Sequence, residues 1–183
     1  MKINSFLKEI NLKNNNIGSE GIKHLSESLK INSSLNKIGL QNNVIGTEGI
    51  KHLSESLKIN SSLKEIDFYN NNIGDEGIKH LSESLKLNSF LKQINLKNNN
   101  IGDEGANYIL DSLSFNYFVT EINLENSLFE NKNIISENLK KEIKSIVEEN
   151  KNNTDKAKKR VEENLKKSKQ IKFSSFVLVN KNK

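Results

Sequence analysis

The sequence predicts an α/β solenoid, a stack of strand-and-helix units, and three observations carry that prediction. First, the chain repeats itself every 28 residues. Leu7, Leu35, Leu63, Leu91 and Val119 fall in one column, Ile10, Ile38, Ile66, Ile94 and Ile122 in a second, and Leu12, Leu40, Phe68, Leu96 and Leu124 in a third. A fixed period between about 20 and 50 residues marks a stacked array. Second, apolar and polar residues alternate in each unit, as in Glu65-Ile66-Asp67-Phe68-Tyr69, the pattern of a strand with one buried face. Third, Ile78, Leu81 and Leu85 follow at i, i+3 and i+7, a single stripe of a helix. One strand and one helix cannot cover their own apolar side, so each unit depends on its neighbours for burial. That is why a composition only 34% hydrophobic suffices.

The unit, L-x-x-I-x-L-x-x-N-x-I-G-x-E-G-I-x-x-L-x-x-x-L, resembles a leucine-rich repeat over residues 1 to 130. Its length and helical second half are similar to the ribonuclease-inhibitor-like class. The resemblance implies a curved stack with parallel strands on the inner face and helices outside. Asn15, Asn43, Asn71 and Asn99 take the family's asparagine position just past each strand. There the turn aims backbone N–H and C=O groups inward, and a side-chain amide serves both kinds. In the fifth period the matching residue is Ser127, so the ladder is expected to stop there.

Along the chain, Lys2-Ile3-Asn4-Ser5 repeats Lys30-Ile31-Asn32-Ser33, so the sequence opens inside a repeat and its first strand should form an exposed end. Either another protein or another copy covers that edge, or the chain is a shortened relative of a longer array; the second reading is preferred. Each helix opens with Ser19-Glu20, Thr47-Glu48, Asp75-Glu76 or Asp103-Glu104, an acceptor and an acid that suit the unpaired N–H groups of a helix start. Gly18, Gly46, Gly74 and Gly102 mark the turn out of the strand. Gly21, Gly49, Gly77 and Gly105 follow where contact with the next repeat is expected. No Lys-Ser/Thr follows these glycines, as a phosphate-binding loop would need. His24, His52 and His80 form one column on the helices, each beside Lys23, Lys51 or Lys79; a metal site usually demands three or four converging ligands, so metal binding is not expected.

The fourth unit drifts to Ala106-Asn107-Tyr108-Ile109-Leu110, and Phe115, Tyr117 and Phe118 add bulk, as a capping repeat would. Ile135, Leu139, Ile143 and Ile146 predict a helix over about 134–150 that closes the end of the core. Ala157, Val161 and Leu165 mark a second, mostly solvated helix, and the run Phe173 to Val179 could be a strand. The expected organisation is an array over 1–130 followed by a helical cap and basic tail over 131–183.

The chain has 183 residues, no cysteine and a net charge of +5. Residues 1–130 carry −3 and residues 131–183 carry +8. No cysteine means no disulfide and no cysteine–zinc site, which fits a reducing interior. The N-terminus lacks an apolar signal region and no apolar run approaches membrane-spanning length. A cytoplasmic protein without membrane contact is expected.

No nucleophile–base pairing and no cofactor motif is visible, so an enzyme is not expected, nor a small-molecule substrate. The resemblance implies that the inner strand face meets a partner protein. Its outward positions are Glu9, Asn11 and Lys13; Lys37, Gly39 and Gln41; Glu65, Asp67 and Tyr69; Gln93, Asn95 and Lys97; and Glu121, Asn123 and Glu125. With one tyrosine and no arginine, this face predicts polar recognition aided by charge. The leading reading is therefore a non-catalytic protein-binding scaffold. One alternative is a GTPase-activating regulator, since Ran GTPase activators are built of similar repeats, although those carry an acidic tail and this tail is basic. Nucleic acid or an anionic surface, met through the 9 basic and 3 acidic residues of 151–172, ranks last.

Overall fold

A computed structural model describes residues 4–125, 135–152 and 154–181, with side chains as far as 169. Five three-residue strands alternate with helices: β1 (Glu9–Asn11), α1 (Gly18–Leu29), β2 (Lys37–Gly39), α2 (Gly46–Leu57), β3 (Glu65–Asp67), α3 (Gly74–Leu85), β4 (Gln93–Asn95), α4 (Asp103–Leu113) and β5 (Glu121–Asn123). Helices α5 (Glu137–Asn152) and α6 (Thr154–Lys181) follow. The strands form one parallel sheet in the order β1-β2-β3-β4-β5, each shifted by one repeat, so that Ile10, Ile38, Ile66, Ile94 and Ile122 stand in register.

The expected columns are the core. Leu40, Phe68 and Leu96 from behind the strands meet Ile50, Ile78, Leu81 and Leu85 from the helices, all fully buried. The first unit is different: Ile10, Leu12, Ile17 and Leu25 are only partly buried, while Leu40, Ile45 and Leu53 one repeat later are buried. The exposed end expected at the first strand is present. At the other end Ile135, Ile143 and Val147 join the same core, so α5 lies over the last repeat as expected.

The asparagine ladder fills both of its roles. Asn71 Nδ2 donates to the carbonyls of Leu40, Phe68 and Tyr69, and its Oδ1 accepts from the N–H groups of Asn43 and Ile45. Asn43 and Asn99 repeat the arrangement. Each amide therefore ties its own turn to the preceding one and leaves few buried polar groups open. The expected end of the ladder at Ser127 lies outside the described residues.

Three local expectations need correction. The residues opening each helix do not cap their own helix through their side chains. Asp75 instead caps the following helix, its Oδ1 accepting from Gly102 N at 2.8 Å and Gly105 N at 3.1 Å. Asp103 Oδ1 likewise accepts from Ser136 N just before α5. The stacking places each helix start beside the next one, so the cap works across the repeat boundary. Close contact at the second glycine also runs backwards. A Cβ on Gly77 would stand 2.5 Å from Ile73 Cγ2 and 3.5 Å from Thr47 Cα of the preceding repeat. The third correction concerns 173–179, read as a possible strand: its backbone continues α6. A helix satisfies its backbone locally, whereas a strand needs a neighbouring edge.

Candidate protein-binding face

Parallel pairing turns the outward strand positions into three cross-strand rows. Glu9, Lys37, Glu65, Gln93 and Glu121 form one, and Asn11, Gly39, Asp67, Asn95 and Asn123 the next. Lys13, Gln41, Tyr69, Lys97 and Glu125 continue just past the strands. A hollow of about 240 Å³ opens on this face around Lys37, Glu65, Asp67, Asn95 and Glu121.

The face is extensively paired with itself. Lys37 Nζ stands 2.8 Å from Glu65 Oε2. The hydrogen bond and the charge of Glu65 hold the lysine above its ordinary pKa. Lys97 reaches Glu125 at 3.5 Å. Asp67 is the best-anchored group: Oδ2 accepts from Gln41 Nε2 at 2.7 Å, and Oδ1 accepts from Asn95 Nδ2 at 3.0 Å and from Tyr69 N at 2.9 Å. Tyr69, half-buried, accepts from Asn98 Nδ2 through its hydroxyl. Asn11, Asn95 and Asn123 each receive the N–H two residues on, closing the turn after their strand. Several expected contact residues thus have structural duties as well.

One polar atom on the face lacks a partner among the described residues. Gln41 Oε1 is buried and accepts no hydrogen bond. The missing side chain of Gly39 gives this amide its room, since a Cβ there would lie 3.0 Å from Gln41 Oε1 and 3.2 Å from Asn11 Oδ1. With Nε2 committed to Asp67, the amide holds that carboxylate in place while its own oxygen stays buried and unsatisfied. Five carboxylates against three lysines make the face acidic, and Glu9 and Glu121 are exposed beyond the ion pairs.

The histidine column lies on α1, α2 and α3, with His24 exposed and His52 and His80 half-buried. Among the described residues, no group of three or more His, Cys, Asp or Glu is placed to hold a metal. No described helix is long and apolar enough to cross a membrane.

A second asparagine column escaped the reading of the sequence. Asn60, Asn88 and Asn116 each donate from Nδ2 to the last helical carbonyl of the preceding repeat, at Leu29, Leu57 and Leu85. Their Oδ1 atoms accept the N–H groups that open the next turn. The spacing was visible, but polar residues in a connecting segment look like solvated loop.

The matched units and their geometry define the class, a leucine-rich repeat solenoid. The family model described as Leucine Rich repeat matches residues 4–26, 60–82 and 87–110. Two solved structures share the fold. One is described as leiomodin-1 actin-binding site 2, with 17% identity, 90% of this chain and 88% of that chain covered, and a TM-score of 0.67. The other is the tropomodulin C-terminal domain of Caenorhabditis elegans, with 18% identity, 81% and 86% covered, and a TM-score of 0.68. No curated protein matches the sequence.

Proposed function

We propose that the chain is a non-catalytic binding module whose strand face takes a basic segment of another protein. The observation that carries this reading is the anchored group at the centre of the face. Asp67 is fixed by three hydrogen bonds beside the unpartnered Gln41 Oε1, in a hollow also lined by Glu65 and Glu121. A pre-oriented carboxylate at the edge of an acidic hollow suits a lysine or arginine side chain. Tyr69 adds an apolar surface with a polar tip. The contact set is Glu9, Asn11, Lys13, Lys37, Gln41, Glu65, Asp67, Tyr69, Gln93, Asn95, Lys97, Glu121, Asn123 and Glu125, with α5 and α6 as a helical cap and tail. A cytoplasmic location suits such a module.

Actin is the first protein to try, because one structural neighbour is described as an actin-binding site. Co-sedimentation of the full chain with filaments, beside affinity capture from extract, tests the reading. Asp67→Lys should abolish capture and Tyr69→Ala should weaken it. Capture by both variants at the level of the unmodified chain would remove the strand face from the function.

The nucleic-acid alternative is disfavoured by a specific contact. Arg160, the sole arginine, and Lys156 both pair with Glu149 of α5, so part of the basic stretch is spent inside the cap.

A further inference from the structure

Among the described residues, eight large apolar side chains are exposed, and five of them lie on one edge of the stack. This is the edge where each helix hands over to the next strand. Ile31, Ile59 and Leu87 occupy one repeat position and are 65%, 61% and 65% exposed; Phe6 and Phe90 stand three residues past that position. The half-buried Phe115 continues the row. Such a line of apolar tips needs explaining on a surface otherwise rich in lysine, asparagine and glutamate.

The two flanks of the row carry opposite charge. On the helix side, Glu27, Glu55 and Glu83 pair with Lys30, Lys58 and Lys86. In these pairs the lysines are tucked in at 33%, 31% and 25% side-chain exposure, while the glutamates stand out at 65%, 59% and 59%. The outward charge there is negative. On the strand side, Lys8, Lys64 and Lys92 precede β1, β3 and β4 and are exposed. A two-fold axis running along the row lays the glutamate flank of one copy over the lysine flank of the other, with the apolar tips meeting between them. An axis across the row would instead set like charges together. Two-fold interfaces use one self-complementary patch twice.

We propose that this edge is a homodimer interface, formed by a second copy of the chain through Ile31, Ile59 and Leu87, with the lysine and glutamate flanks fixing the parallel arrangement. Sedimentation equilibrium of the full chain tests it. The expected mass is that of two 20.8 kDa chains, reduced to one by Ile59→Asp with Leu87→Asp. These residues are exposed, so the thermal melt of the variant at low concentration should keep its cooperativity. A complementary pair gives the sharper result. Lys64→Glu with Lys92→Glu, and separately Glu55→Lys with Glu83→Lys, should each weaken self-association at least tenfold. Mixing the two variants should restore a heterodimer, since both flanks then oppose unlike charge. A monomer at all concentrations, a dimer indifferent to Ile59→Asp and Leu87→Asp, or charge variants that fail to rescue one another would overturn the assignment.

Discussion

Val44 is the one residue that breaks the rule of its column. Asn16, Asn72 and Asn100, at the same repeat position, have φ of 50°, 55° and 57°, and Val44 has 53°. Asparagine tolerates the left-handed region, whereas a β-branched side chain there costs roughly 1–2 kcal/mol. Val44 is also exposed, so no burial offsets that cost. Val44→Asn should raise stability by about 1 kcal/mol in urea unfolding; an unchanged or lower midpoint would show that the strain is relieved elsewhere. Asn71 lies at the opposite extreme. Asn71→Ala opens three carbonyls and two N–H groups in a buried turn, and a loss of about 3–5 kcal/mol is expected. Asn70→Ala, at an exposed neighbour whose amide bonds Asn42 and whose backbone is also left-handed with φ of 55°, should cost only about 1 kcal/mol. Similar losses at both positions would refute the assignment of the ladder to Asn71.

At the scale of elements, the joints between helices hold the interactions that the sequence did not reveal. The 28-residue columns were legible because every inward position is copied, and burial follows from position alone. The cap formed by Asp75 was not, because an acceptor beside a helix start reads as a local cap, and only stacking shows that it serves the next helix. The same limit applied to the strand face: its outward positions were legible, but the bonds around Asp67 join side chains from three repeats. Asp75→Ala should cost about 1–2 kcal/mol and release the start of α4, seen as faster amide exchange at Gly105 than at Gly77. Lys86 makes a second joint, pairing with Glu83 on its own helix and with Asp111 of α4 at 2.7 Å. Partial burial works against its charge, yet the hydrogen bonds to Asp111 and Glu83 leave its pKa above the ordinary lysine value of 10.5. A raised folded pKa means that this contribution is complete below the unfolded value and is lost as pH climbs past the folded one. Lys86→Ala should therefore lower the melting temperature near neutrality, and the gap to the unmodified chain should close only in the alkaline range above 10.5.

Across the whole molecule the two ends of the stack are finished differently, and stability should follow that asymmetry. At the far end, α5 and α6 imitate a further repeat. Asn150 donates to the carbonyls of Asn116 and Val119, Arg160 Nη2 takes the carbonyl of Leu113, and Asn164 takes that of Ser114. Leu113 continues the series of Leu29, Leu57 and Leu85, whose carbonyls are served by column asparagines in the earlier repeats. The guanidinium thus replaces an amide that no later repeat supplies. At the near end nothing equivalent is seen among the described residues. Asn15 is exposed, its Nδ2 reaches only the carbonyls of Leu12 and Lys13, and Ile17 and Leu25 keep partial contact with water. In a linear array each unit is held by its neighbours, so the uncovered unit should open first. Native-state hydrogen exchange should show weak protection in α1, rising through α2 to a maximum in α3 and α4. Arg160→Ala should lower protection in α4 while leaving α1 unchanged, because the two ends are separated by the intervening repeats. Equal protection in α1 and α3, or a loss that spreads evenly from Arg160→Ala to the first repeat, would mean that the stack unfolds as one unit and that its two ends are equally well closed.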